Sequence, residues 1–248
     1  MSSSPSRFTS GITQDASYQP LGQVGVPDPF FYAYYEDDFL PYNGALYTAT
    51  LDGGTAAGTV AQGPGGRVLL SALGVATDFV GLQLTQAAFL YTAGFKMAYL
   101  VRLRLPTPAT TSFNVGLIQT TVTPSVVTDG IYIAYVGGGT TMTLNVVTGS
   151  TVIGTVSIPV VPVAATDIDI GFVVNRNGNI DIYAGPNLVG NKTLQFDNIT
   201  TGAVAKLYAS NLTGVYTTAL LNPTIEVISP GAVAGVLAAD FQFAGTER

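Results

Sequence analysis

Three adjacent acids, Glu36-Asp37-Asp38, follow a run of rings at Phe30, Phe31, Tyr32, Tyr34 and Tyr35. In an extended chain Glu36 and Asp38 share one face, and Asp37 takes the other, beside Phe39. Two carboxylates on one face are what glycoside hydrolysis requires, provided they stand about 5 to 10 Å apart across an open cleft. The whole chain holds three glutamates, Glu36, Glu226 and Glu247, and only Glu36 lies in this cluster. The acids therefore read as a solvated strand entry or a hydrogen-bonding patch against the final strand, not as a catalytic pair. A second stretch, Asn175-x-Asn177-Gly178-Asn179-x-Asp181, is spelled like the start of a calcium loop. It lacks the twelfth-position Glu, and a Gly-assisted hairpin turn accounts for it.

Composition removes other chemistries. The 248 residues include no Cys, His or Trp, so disulfides, thiolate nucleophiles, imidazole bases and Cys/His zinc sites are excluded. No catalytic residue, metal ligand or cofactor is expected, and the chain reads as a non-enzyme. Asn191, Asn198 and Asn211 spell glycosylation sequons. No basic segment leading into an apolar one suggests a secretory signal, so they are read as chance. Apolar runs such as 231–239 are too short to span a bilayer, and no membrane partner is expected.

Charge carries the most information. Only 10% of residues are charged, against roughly 25% in an ordinary soluble domain. A surface so weakly charged suits a protein packed against copies of itself or a scaffold. The net charge of −6 argues against nucleic acid, whose phosphates want a basic face.

Two regions follow. Residues 1–29 carry Pro, Ser and Gln without a sustained period and read as an extended N-terminal arm, with Phe8, Ile12, Tyr18 and Leu21 as spaced apolar anchors. Residues 30–248 read as strand, turn, strand. In 94–105, Phe95, Met97, Tyr99, Val101, Leu103 and Leu105 alternate with Lys96, Arg102 and Arg104. In 166–174, Ile168, Ile170, Phe172 and Val174 face inward while Asp167 and Asp169 face outward, and 180–183 returns as a partner strand after a turn. Further strands are expected at 67–73, 78–84, 113–118, 130–136, 141–147, 151–158, 205–212, 223–229 and 239–243. No stretch holds a 3.6-residue period, so the expectation is all-β, with two stacked antiparallel sheets. Strand alternation buries either Phe30, Tyr32 and Tyr34 or Phe31 and Tyr35. The other set is expected at an interface, since Tyr brings area with a polar tip.

From Glu36 to Phe243 the chain resembles the concanavalin A-like, laminin-G-like jelly-roll family. The carriers are EDDFL (36–40), the long strand at 95–105, FNVGLI (113–118) leading to DGIYIAY (129–135), the hairpin at 166–185 and AADFQFAG (238–245). The resemblance implies that the first and last strands, around EDDF and ADFQF, pair in one sheet. Family lectins and glucanases carry calcium-binding or catalytic acids that this sequence does not match. Versions without them, fronted by an arm, look like virion proteins of tailed bacteriophages. That likeness implies a capsid decoration (cement) subunit made in the host cytoplasm, with the major capsid protein or other virion subunits as partners and homo-oligomers expected. The alternative is a glycan-binding, lectin-like module of a phage tail or surface protein; a glycoside hydrolase is a third reading.

Overall fold

The computed structural model describes residues 32–39, 42–52, 58–74, 78–85, 89–92, 94–119, 127–186, 205–207, 219–229, 231 and 233–247. The strands, in chain order, are β1 (Tyr32–Asp37), β2 (Tyr47–Asp52), β3 (Thr59–Gly63), β4 (Arg67–Ala72), β5 (Phe79–Leu84), β6 (Phe89–Leu90), β7 (Met97–Arg104) and β8 (Ser112–Gln119). They continue with β9 (Gly130–Tyr135), β10 (Met142–Thr148), β11 (Thr151–Ile158), β12 (Asp167–Val174), β13 (Ile180–Pro186), β14 (Ala205–Leu207), β15 (Leu220–Ile228) and β16 (Gly235–Glu247). Short 3₁₀ turns at Gly44–Leu46 and Pro108–Thr110 are the helical elements among these residues.

The strands form two antiparallel eight-stranded sheets, the expected jelly-roll sandwich. The first runs β14-β13-β12-β7-β16-β4-β3, with β1 added to β16; the second runs β11-β10-β9-β8-β15-β5-β2, with β6 added to β15. The first and last strands pair as the resemblance implies, with Glu36 opposite Phe243 and Asp37 opposite Gln242.

Each sheet is organised by one long strand that changes partner midway. On one side β16 pairs with β7 over Ala238–Thr246; on the other it meets β4 over Gly235–Ala239 and then β1 from Gln242 onward. The changeover falls at Asp240, where the register skips from Ala239 to Phe241 as a β-bulge. In the second sheet β15 pairs with β8 along its length, with β6 at Leu220 and Leu221, and with β5 from Thr224. Pro223 sits in that gap, where a residue lacking an N–H does least harm to the ladder.

The core lies between the sheets and follows the alternation read from sequence. Tyr99, Leu103, Ile168, Ile170, Phe172, Ile180 and Ile182 are all buried, and Tyr99 stacks on Phe172 at 5.7 Å between centroids. Phe95, expected with them, is instead exposed. It shares their parity but precedes the first paired residue, Met97, and follows Gly94 in a left-handed turn (φ +87°). Short of the sheet, strand parity no longer sets direction.

The outward face of the first sheet is less idle than the alternation suggests. Asp169 accepts from Arg102 at 2.8 and 3.2 Å, Arg67 meets Asp167 at 2.9 Å, and the bulged Asp240 lies 3.8 Å from Arg67 and 3.7 Å from Arg102. The bulge thus turns one acid toward two arginines. Asp169 is paired and largely covered, not a solvated outward acid. Replacing Phe172 with Ala is expected to cost about 3 to 5 kcal/mol, as for other buried rings. Phe95→Ala should cost under about 1 kcal/mol, as for surface substitutions. Denaturant unfolding of both variants checks the pair.

Candidate functional site

The acids singled out first separate sharply. Glu36 and Asp38 lie exposed, and partial loss of solvent around the Glu36 carboxyl, then the neighbouring Asp38 charge, raises it above its ordinary value. Asp37 points the other way and is taken up locally. Its Oδ2 accepts from Tyr47 at 2.5 Å and from Tyr35 at 2.9 Å, and its Oδ1 accepts from the Phe39 backbone N–H at 2.7 Å. Phe39 holds a left-handed backbone (φ +54°) and is fully buried, so the Asp37–Phe39 bond closes a tight turn. Burial, with the Asp37 hydrogen bond, pushes the Tyr47 hydroxyl far above its ordinary value, so it stays a neutral donor. This cluster fastens the entry strand to β2. Its groups are spent on one another, and it offers no acid/base pair.

Of the residues expected at an interface, Tyr35 is half-buried and packs edge-on against Tyr47 within the sandwich, at 6.4 Å and 78°. Tyr32 and Tyr34 stand in β1 at the register positions of Glu247 and Gly245. Phe8, Ile12, Tyr18, Leu21, Phe30 and Phe31 lie outside the described residues, as does the rest of the 1–29 arm. Asn191, Asn198 and Asn211 lie outside them too. In the 175–181 turn, Asn175 donates to Asp181 at 2.8 Å and Gly178 takes φ +82°, so the would-be calcium residues serve the β12–β13 hairpin.

The richer surface is the outward face of the second sheet. Residues directly opposite each other on neighbouring strands point to the same face. One row runs Thr50, Gly81, Glu226, Asn114, Ala134, Thr143, Ser157. The next runs Thr48, Gln83, Thr224, Gly116, Tyr132, Asn145, Thr155. Hydroxyls and amides dominate both rows, with a single carboxylate at the centre. Gly116 is required there: a Cβ would come within 2.6 Å of Tyr132 Cα and 2.8 Å of its Cβ.

Glu226 is fully buried although it points out of the core. Its Oε2 accepts from Asn114 Nδ2 at 2.7 Å, while Oε1 has no hydrogen-bond partner among the described residues. Burial, partly offset by the Asn114 bond, lifts this carboxyl from 4.5 to about 7. Burial and the nearby Glu226 also hold the Tyr132 hydroxyl above its ordinary value. Beside Glu226, Gln83 Nε2 donates to Thr224 Oγ1 at 2.9 Å and to the Ile118 carbonyl at 3.1 Å. Access is graded across the face. Gln83, Thr224 and Glu226 are buried, Asn114, Tyr132 and Asn145 are half-buried, and Thr155 is exposed. The reachable part is therefore the β8–β11 half. Its residues are neutral, and the positions flanking Glu226 hold Gly81 and Asn114, not a second acid.

Sequence reasoning passed over this site. Glu226 sits inside an apolar strand as one polar residue among β-branched ones, and alternation marks it only as outward. Its burial is a tertiary fact that local pattern does not encode.

No protein-family model and no curated protein sequence matches the chain. Its fold is similar to that of an endo-1,3-beta-glucanase from Streptomyces sioyaensis (TM-score 0.56, 11% identity, covering 88% of this chain and 98% of that one). It is also similar to the CBM2 module of the evolved Dit of Lactobacillus casei BL23 phage J-1 (TM-score 0.56, 9% identity, 87% and 96% covered). The metal-free carbohydrate recognition domain of Emp46p matches comparably (TM-score 0.53, 10% identity, 84% and 95% covered). At these identities the likeness is one of fold: a concanavalin A-like, lectin-like sandwich.

The Glu226 carboxyl yields a pH prediction. Its folded pKa is raised, so between about pH 4.5 and 7 the folded chain keeps a proton that the unfolded chain has released. Its contribution to stability therefore falls as pH rises through that window and levels off above it. Glu226→Gln should remove the dependence, gaining about 2 to 3 kcal/mol over the native chain on going from pH 4 to pH 8. Paired urea titrations at the two pH values check this.

Proposed function

We propose that the chain is a non-hydrolytic glycan-binding sandwich carried on a virion surface, with the β8–β11 half of the second sheet's outward face as its ligand surface. The observation that carries the reading is the chemistry of that half. Asn114, Tyr132, Asn145 and Thr155 offer amides, hydroxyls and one ring without charge, which suits the neutral hydroxyls and apolar ring faces of a sugar. Hydrolysis is disfavoured because cleavage needs two carboxylates about 5 to 10 Å apart, and the residue across from Glu226 on β8 is an amide. Glu226 then acts as a support: by accepting one Asn114 N–H it fixes how that amide is presented. The phage-derived carbohydrate-binding module among the similar folds supports a viral setting.

A second reading, a capsid decoration subunit held by virion proteins, is favoured by the 10% charged composition. A glycan array separates the two. Under the first reading the native chain retains defined oligosaccharides, and Tyr132→Ala or Asn145→Ala lowers retention at least tenfold while circular dichroism still shows the folded sandwich. Uniformly blank arrays, with the chain recovered on intact particles, favour the second. Glycan turnover abolished by Glu226→Gln would overturn the non-hydrolytic assignment.

A further inference from the structure

Three neighbouring strands of the second sheet end their inward rows on polar residues. Val80, Val227 and Phe113 stand side by side on β5, β15 and β8 and belong to the core. Two residues further along, just past the last paired positions, the same parity reaches Asp78, Ser229 and Thr111. The Ser229 N–H donates to the Asp78 carbonyl at 2.8 Å, so the ladder continues to this pair and their side chains share the inward side. All three residues are buried, Asp78 to 5% exposure. A carboxylate turned into the end of a sandwich needs a partner. Asp78 Oδ2 has no hydrogen-bond partner, and Asp78 joins no ion pair, among the described residues.

The chain leaving β15 brings more oxygens than protons to this end. It turns so that the carbonyls of Gly231 and Val233 lie 2.8 and 2.9 Å from Ser229 Oγ. A serine hydroxyl has one proton, so it satisfies one of the two. Thr111 accepts from the Val236 N–H at 3.3 Å, which holds the far end of this turn at the start of β16. Acceptors therefore outnumber donors beside an unbalanced negative charge.

We infer that this end of the sandwich is a hard-cation site of the calcium class. Asp78 is its charged ligand; Ser229 Oγ and the Gly231 and Val233 carbonyls are its neutral ones. A water molecule could meet the spare acceptors but would leave the carboxylate's charge unbalanced, whereas a cation answers both needs. A ligand set made only of oxygens selects a hard ion. Neighbouring equatorial oxygens around a pentagonal-bipyramidal calcium stand about 2.8 Å apart, which is the spacing Ser229 Oγ keeps to both carbonyls. Magnesium suits the site poorly, because it gives up its waters reluctantly. One carboxylate makes for weak binding, with a Kd of about 0.1 to 1 mM. Val233 is exposed and Gly231 half-buried, so the ion and its remaining waters have a way in. Sodium and potassium share this oxygen chemistry at lower charge. The site lies on the inward side of its sheet and holds whatever the outward face binds.

Thermal melting of the full chain, stripped with a chelator and then given CaCl₂, MgCl₂, NaCl or KCl at matched ionic strength, tests the assignment. About 10 mM Ca²⁺ should raise the melting temperature of the native chain by about 3 to 10 °C, and Mg²⁺ should not. Calorimetric titration should give one Ca²⁺ per chain. Asp78→Asn should abolish the calcium-dependent shift whatever its own melting temperature, Ser229→Ala should weaken binding at least tenfold, and Asp38→Asn should leave both readouts unchanged. A shift produced by Na⁺ or K⁺ and lost in Asp78→Asn upholds the site with a monovalent occupant. A native chain indifferent to all four salts overturns the inference. So does a calcium shift that survives Asp78→Asn, or an equal response to Mg²⁺.

Discussion

One hydrogen-bonded line across the core determines how the two sheets sit on each other. Gln242 Nε2 donates to the Tyr99 hydroxyl at 3.0 Å, and that hydroxyl donates to the Thr224 carbonyl of the opposite sheet at 3.1 Å. All three residues are buried. Two apolar faces made of Val, Ile and Leu can slide past each other at little cost, because dispersion and burial carry no direction. A buried donor that meets its acceptor in one alignment does not permit that. Misplacing it leaves polar atoms unpaired in a dry interior, at about 1 to 3 kcal/mol for each.

The line continues in both directions. Gln242 stands opposite Asp37, whose bonds to Tyr35 and Tyr47 fasten the entry strand. Thr224 takes the Gln83 amide on its side chain and stands two residues before Glu226 on the same strand. The alignment set by Tyr99 therefore reaches the outward face on which Glu226 holds Asn114. Both organising strands take part, since Gln242 belongs to β16 and Thr224 to β15. Their partner changes at Asp240 and Pro223 let each serve as the spine of a sheet wider than a single ladder would support.

Much of this architecture is legible in the sequence because a half-buried strand must alternate. The runs through Tyr99 and Phe172 assign their own inward faces, and EDDF and ADFQF pair as the resemblance implies. β2 and β3 escape such reading. β2, YTATLD, has Tyr47 and Leu51 as its large apolar residues and β3, TVAQG, has Val60; the rest are Thr, Ala, Gln, Gly and one Asp, and their burial is weak and uneven. Edge strands bury little, so selection leaves little periodicity to read. The acids mislead for a related reason. Glu36 and Asp38 attract notice by adjacency, yet Asp37 is the one with structural work, because the left-handed turn at Phe39 brings a backbone N–H to it. Sequence shows that acids are present; only the turn shows which one is spent.

Glu226 marks the limit of local reading most clearly. A carboxyl in the middle of β15, pointing away from the core, should by alternation be solvated. It is instead dry, with one oxygen bound to Asn114 and the other unmatched among the described residues. A neutral, protonated carboxyl relieves this arrangement, since its proton can serve as a donor where an anion has none. The same dryness that raises its pKa makes Glu226 a poor direct contact for any ligand. The half-buried amide and phenol beside it, Asn114 and Tyr132, are better placed to meet one. The carboxyl's value to the face lies in holding an amide still. An orientation fixed before binding spares a ligand the cost of immobilising that side chain, about 0.5 to 1.5 kcal/mol, so a buried residue supports recognition without touching what is recognised.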